Sequence, residues 1–252
     1  MDTLIYMRVF IISLESELER RHKIGLQCKE QSLFCEFINA VDGRKLPSEI
    51  ATTVTHDFYN SKLTRGEIGC ALSHLNIYSK MVSENISHAL VLEDDAIFDG
   101  SLHDCLSGVD GIIREDKPEI FVLTARCSYN KHIKKTDFSG RNYFRITNGS
   151  GGYGYVINLA AAKLLLERNL PIKFEADRWT IFRDIAGLYV WCTKDPVIRH
   201  ACIIDDKSTI GNERNELAEE RGQVINKLKR TIPFYQLKRI KNILLNKSGI
   251  VN

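Results

Sequence analysis

Four apolar residues, Ala89-Leu90-Val91-Leu92, run straight into three carboxylates, Glu93-Asp94-Asp95, and then back into Ala96-Ile97-Phe98. A short unbroken apolar run of this kind fits a central strand covered on both faces, which commits the chain to helices on either side of a sheet. Ligands of open α/β sheets gather at the carboxyl ends of such strands. Three adjacent acids repel one another at neutral pH, and a hard divalent cation that takes oxygen ligands and bridges to substrate phosphates would relieve them. The plainer alternative is turn chemistry, with Asp94 and Asp95 capping the next helix.

With 252 residues and 44% hydrophobic content, the chain has material for one large α/β domain or two small ones. Seven cysteines are scattered without a Cys-x-x-Cys pair, which suits reduced thiols in a cytoplasmic protein better than a disulfide framework. The apolar run Leu4 to Ile12 is interrupted by Arg8 and is too short to span a bilayer, so it reads as a first strand and not as a signal peptide. The net charge of +3 conceals an asymmetry: residues 221–252 hold eight Lys and Arg and no Asp or Glu, leaving residues 1–220 at −5. The expected division is a domain over 1–220 and a basic tail over 221–252.

In chain order, Met7 to Ile12 is the first strand, followed by Ser13-Leu14 and a charged helix through about His22 with Ser16 as its cap. The turn after the strand lacks a Gly-x-Gly-x-x-Gly fingerprint, although backbone groups there can still hold a nucleotide. Phe34 to Val41 is a second strand closed by Asp42-Gly43, a common turn pair that is also a candidate ligand contact. Thr64 and Glu67 have the spacing of a capping box at the start of the clearest helix, which carries Cys70, Ser73 and His74. Cys70 and His74 share a face and could contribute to a metal site; the alternative is a hydrogen-bonded helix histidine.

Glu119 to Leu123 is a further strand, and Cys127 to Arg141 is a polar, basic loop. Between Asn148 and Asn158, four glycines beside two tyrosines mark either a backbone that something approaches closely or a bulged edge strand. Asn158 caps a helix over Leu159 to Arg168. Asp177 is either a general base or the cap of a helix from Arg178 to about Ile185, and Gly187 to Cys192 is one more strand.

The blocks Val9-Phe10-Ile11-Ile12-Ser13-Leu14, Phe37-Ile38-Asn39-Ala40-Val41-Asp42-Gly43, Leu63 through His74 and Leu92-Glu93-Asp94-Asp95 resemble glycosyltransferase family 25, the bacterial lipooligosaccharide and lipopolysaccharide glycosyltransferases. Ser208-Thr209-Ile210 is a weaker last block. The likeness covers most of residues 7 to 211, and its most specific part is the helix block followed by the acidic triplet. It implies a GT-A-like single α/β domain with a mostly parallel central sheet flanked by helices. It also implies a UDP-sugar donor, Mn²⁺ or Mg²⁺, and inverting transfer of a hexose, galactose first, to a lipooligosaccharide or lipopolysaccharide acceptor. The glycine content of 149–155 and the sequence Phe174-Glu175-Ala176-Asp177 depart from the usual family pattern.

On this resemblance Glu93 and Asp95 would hold the metal. Ile12, Ser13, Leu14, Asp42, Gly43, Ser73, His74 and Asp94 would line the donor. Asp177 would take the acceptor proton, with Glu175 or Asp205 as substitutes. One alternative is a metal-dependent phosphohydrolase or nucleotidyltransferase acting on a nucleotide-sugar, for which a nucleophile motif is missing. The other is a basic-tailed binding protein without catalysis, which has no use for three stacked acids.

In the tail, Leu237, Ile240 and Leu244 recur at helical spacing, Ile243 widens the stripe, and Lys238, Arg239 and Lys241 flank it. That pattern suits an interfacial helix on an anionic membrane; the lipid-linked acceptor that the resemblance implies would place it at the inner face of the inner membrane, with no nucleic acid partner. The alternative is a helix docked on the body with its basic side solvated.

Overall fold

The computed structural model describes residues 7–98, 100–201, 216–246 and 250–251. The main strands are β1 (Arg8–Ser13), β2 (Cys35–Asn39), β3 (His88–Glu93), β5 (Glu119–Val122), β6 (Cys127–Thr136), β7 (Asn142–Gly149), β8 (Gly154–Asn158), β9 (Tyr189–Thr193) and β11 (Ile250–Val251). A separate ribbon pairs β4 (Ala96–Phe98) with β10 (Ile198–His200). The helices are α1 (Leu18–Glu30), α2 (Ser48–Val54), α3 (Arg65–Ser83), α4 (Ser101–Asp110), α5 (Leu159–Asn169), α6 (Trp179–Ala186), α7 (Ala218–Thr231) and α8 (Tyr235–Asn246).

The sheet runs β11-β6-β7-β9-β5-β8-β3-β1-β2. It is mixed: β1 pairs in parallel with β2 and β3, and β5 with β9, whereas β8 lies antiparallel between β3 and β5. The expected parallel arrangement therefore holds in two blocks. Parallel neighbours need a crossover, and no helix intervenes from β5 to β8. Cys127 to Arg141, read as a loop, is mostly β6, which forms a long antiparallel hairpin with β7. The glycine-rich run leads into a central strand and not an edge strand, because every residue of β8 is buried.

Alternation along the strands builds two cores. Val9, Ile11, Leu90, Leu92, Phe121, Val156 and Trp191 face α1 and α4. Phe10, Ile12, Ala89, Val91, Ile120, Tyr155, Ile157 and Val190 face α3, α5 and α6. Both faces of β3 are thus covered, which is why its apolar run is unbroken.

Local signals fix the starts of α3 and α5. The Thr64 hydroxyl accepts the Glu67 N–H at 3.1 Å and the Glu67 carboxylate accepts the Thr64 N–H at 2.9 Å, completing the capping box of α3. The Asn158 side chain caps α5 by accepting the Ala161 N–H. Helix α1 starts after Glu17 with no side-chain cap, so Ser16 does not cap it, and it continues to Glu30.

The packed unit extends past residue 220. Arg221 on α7 is 2% exposed; its Nη1 donates to Glu67 at 2.7 Å and to Glu175 at 3.3 Å, and its Nε to the Lys62 carbonyl at 3.0 Å. Ile225 and Tyr235 join the core against α6. The basic segment therefore begins inside the domain, because the buried carboxylates of Glu67 and Glu175 need a cation.

Candidate active site

The parallel register of β1 and β3 sets Ile12 opposite Glu93, and the Asp94 N–H donates to the Ile12 carbonyl at 3.1 Å. That places the end of the first strand against the acidic turn. The Ser13 hydroxyl donates to Asp94 at 2.6 Å, and Arg20 from α1 reaches Asp94 at 3.3 Å and Asp95 at 4.0 Å. Burial pushes the Asp94 carboxyl up, and Ser13 and Arg20 pull it back only in part. On the other side His200, at the end of β10, sits 3.1 Å from Asp95, and this hydrogen bond raises the imidazole against the opposing effect of its burial.

Each of the three acids thus has its own principal partners. Glu93 turns to His74, Asp94 to Ser13 and Arg20, and Asp95 to His200. Part of the expected positive charge comes from the chain itself. Yet Asp95 Oδ1 is buried with no hydrogen-bond partner among the described residues, and an orphaned carboxylate oxygen is costly unless something donates to it or coordinates it.

His74 is 1% exposed, and its Nδ1 lies 2.7 Å from the Tyr155 hydroxyl, which is 2.6 Å from the Tyr78 hydroxyl. Burial pushes both phenols well up, so they stay protonated; Tyr155 holds the imidazole by a hydrogen bond and Tyr78 holds Tyr155. The other ring nitrogen is 3.4 Å from Glu93. Cys70, His74 and Glu93 offer ligand atoms that all lie within 4.8 Å of one another. The helix pair singled out in the sequence therefore gains a third member, a set suited to thiophilic ions such as Zn²⁺ rather than to Mg²⁺. The hydrogen-bonded histidine reading also holds, through Tyr155.

Gly152 is where the predicted residues converge. A Cβ there would lie 3.0 Å from Glu93 Oε1, 3.4 Å from His74 Nε2 and 3.4 Å from the Asp177 Cβ. The close approach expected of the glycine run is made by the site's own side chains. Asp177 and the first turn of α6 hold this loop: Asp177 accepts the Gly151 N–H at 2.8 Å, Trp179 Nε1 donates to the Gly151 carbonyl at 3.1 Å, and Thr180 accepts the Gly149 N–H at 2.9 Å. Gly151 sits at φ +106°, a conformation that favours glycine. Asp177 is not the cap of α6, since Arg178 occupies that position without a side-chain bond.

The residues after the second strand are seated against α3. Asp42 caps a short 3₁₀ turn over Gly43–Lys45 and pairs with Arg44 at 2.8 Å. A Cβ on Gly43 would fall 1.7 Å from the Arg65 carbonyl oxygen, and one on Gly69 would fall 2.4 Å from that of Val41, so these glycines seat the turn directly on α3. Ser73, wholly buried, accepts the Val41 N–H at 2.9 Å and donates to the Gly69 carbonyl at 2.8 Å. Its described role is to hold that turn. At the first turn, Arg21 donates to the carbonyls of Ser13 and Leu14.

Glu175, the substitute base, is 4% exposed and bound by Arg178 and Arg221. Burial alone would raise its carboxyl, but the Arg178 hydrogen bonds and the two guanidinium charges hold it below the ordinary range. Its oxygens are thus engaged by two guanidinium groups, the setting of a structural anion. Asp205 and Ser208-Thr209-Ile210 lie outside the described residues.

Sequence reasoning missed Arg20, His200 and the Tyr155–Tyr78 pair. Arg20 had a usable signal, since it lies on the helix directly after β1, at the edge where β1 and β3 both end. His200 had none, because only the β4–β10 pairing brings it to Asp95.

A covered α/β sheet with three carboxylates gathered at the end of a central strand is the layout of an enzyme whose ligand sits over that edge. Residues 7–180 match the family described as glycosyltransferase family 25 (LPS biosynthesis protein). The chain belongs to that family, and so to the glycosyltransferases. It is 32% identical over 186 residues to procollagen galactosyltransferase 1 of Danio rerio, covering 68% of this chain and 30% of that protein. It is 37% identical over 106 residues to a glycosyltransferase 25 family member of Aedes aegypti, covering 39% of this chain and 18% of the relative. It is 28% identical over 167 residues to the lipooligosaccharide biosynthesis protein lic2B of Haemophilus influenzae, covering 62% and 61%. The chain thus spans less than a third of the first two relatives. Among the described residues no helix is long and apolar enough to cross a membrane.

Proposed function

We propose that this chain transfers a hexose, galactose first, from a UDP-sugar to a lipooligosaccharide or lipopolysaccharide acceptor, with inversion and with Mn²⁺ or Mg²⁺ bound. Family membership supports sugar transfer. The names of the relatives favour galactose and this acceptor class. The observation that favours a hard cation is the orphaned Asp95 Oδ1 beside a cluster of carboxylates. Asp95 and Glu93 offer the oxygen ligands such an ion prefers.

A bound divalent ion would act as a Lewis acid for the departing diphosphate, worth several kcal/mol. The chain's residues do the rest. Ser13 and Arg20 fix Asp94, and His200 fixes Asp95, so the carboxylates are oriented before substrate arrives. The acceptor oxygen attacks the anomeric carbon, the bond from that carbon to the diphosphate breaks with its electron pair leaving on UDP, and Asp177 takes the acceptor proton. Asp177 is half-buried and anchored through Gly151 on the loop that also meets Glu93.

The deciding experiment measures UDP-galactose binding by calorimetry with and without EDTA, and transfer by the native protein and by Asp95→Ala. The expected result is metal-dependent binding in the native protein and no turnover in a folded variant. Metal-independent transfer, or an active Asp95→Ala, would overturn the assignment. UDP release at full rate without acceptor would favour the phosphohydrolase alternative.

A further inference from the structure

Helix α8 is seated on the body by the side opposite to the one its sequence suggests. Tyr235 is 7% exposed in the core, and Lys238 Nζ donates to the Ile185 carbonyl at the end of α6. Phe234, just before the helix, is 73% exposed, and Leu237 and Ile240 on it are 63% and 51% exposed. A helix docked with its basic side solvated would hide these three side chains. Here they point outward together, beside exposed Pro233, and large apolar side chains grouped on one outer face mark an interaction surface.

The rim of this face is basic. Arg230, Arg239 and Lys241 are all exposed, and residues 221–252 contain no acid. The geometry points to an anionic phospholipid surface as its occupant. A bilayer supplies both an acyl region for Phe234, Leu237 and Ile240 and phosphates for the surrounding cations. Nucleic acid offers phosphates but no apolar layer. A second copy of the same face would bring like charges together. The inference is independent of the transfer reaction, since none of these residues lies at the acidic cluster.

Flotation of the full chain with phosphatidylcholine vesicles, alone or doped with phosphatidylglycerol, tests it. The native protein should bind the anionic vesicles at low salt and leave them at high salt. Arg230→Gln with Lys241→Gln should weaken binding about 25-fold, at about fivefold for each basic group near the surface. A triple Phe234→Ser, Leu237→Ser, Ile240→Ser variant should weaken it by at least about tenfold while keeping its melting temperature, because these side chains are already exposed. Equal binding to neutral vesicles, or native binding by the triple variant, would overturn the proposal. So would a native dimer that the triple variant dissolves, since that gives the face to a second copy.

Discussion

Arg221→Met is the sharpest test of whether α7 belongs to the catalytic body. The guanidinium makes charged hydrogen bonds to Glu67 and Glu175 and one to the Lys62 carbonyl, with all three charged side chains no more than 5% exposed. Breaking a buried pair from one side costs about 3–5 kcal/mol. Two features reduce that figure. Glu175 keeps Arg178, and Arg221 Nη2 is itself buried without a partner among the described residues, so its removal relieves about 1–3 kcal/mol. The expected loss is about 2 kcal/mol at pH 7, or a fall in Tm of roughly 4–8 °C for a chain of this size. Urea unfolding of both proteins across pH would measure it. The Glu175 carboxyl is held below its ordinary value in the fold, so its contribution is present above about pH 4.3 and is lost as pH falls through the lower folded value. The gap between native and variant should therefore be full at pH 7 and narrow in acid. A gap under about 1 kcal/mol, or one that does not change with pH, would refute the buried-triad account; Arg221→Met with Glu67→Gln should recover part of the loss.

Asp177→Asn should lower kcat by about 10²- to 10⁴-fold with little change in donor affinity. Asn keeps an oxygen to accept the Gly151 N–H, so the loop stays in place, and transfer within tenfold of native would send the search for the base elsewhere. Gly43→Ala and Gly152→Ala should separate structure from function. The first meets a backbone oxygen at 1.7 Å and should prevent stable folding, whereas the second meets Glu93 at 3.0 Å. Gly152→Ala should therefore retain its melting temperature yet lose transfer by roughly tenfold or more through displacement of Glu93. Similar melting curves for the two variants would contradict this reading.

Much of the secondary structure was legible because its causes are local. The Ala89–Leu92 run is a strand covered on both faces, Thr64 with Glu67 is a capping box, and Asn158 is a cap; each depends on periodicity or on groups a few residues apart. Spacing also placed Glu93, Asp94 and Asp95 at a strand end and gathered Cys70 and His74 on one helix face. The partners of those groups were not legible. Arg20 and His200 reach the acids, Gly152 meets Glu93 and His74, Arg221 closes over Glu67, and β8 inserts antiparallel between β3 and β5. Each of these joins residues far apart in the chain, and so depends on strand order and register. The seating of α8 follows the same rule. Its amphipathic stripe is written in the sequence, but which side faces the body was decided by where Tyr235 and Lys238 found α6 and the core.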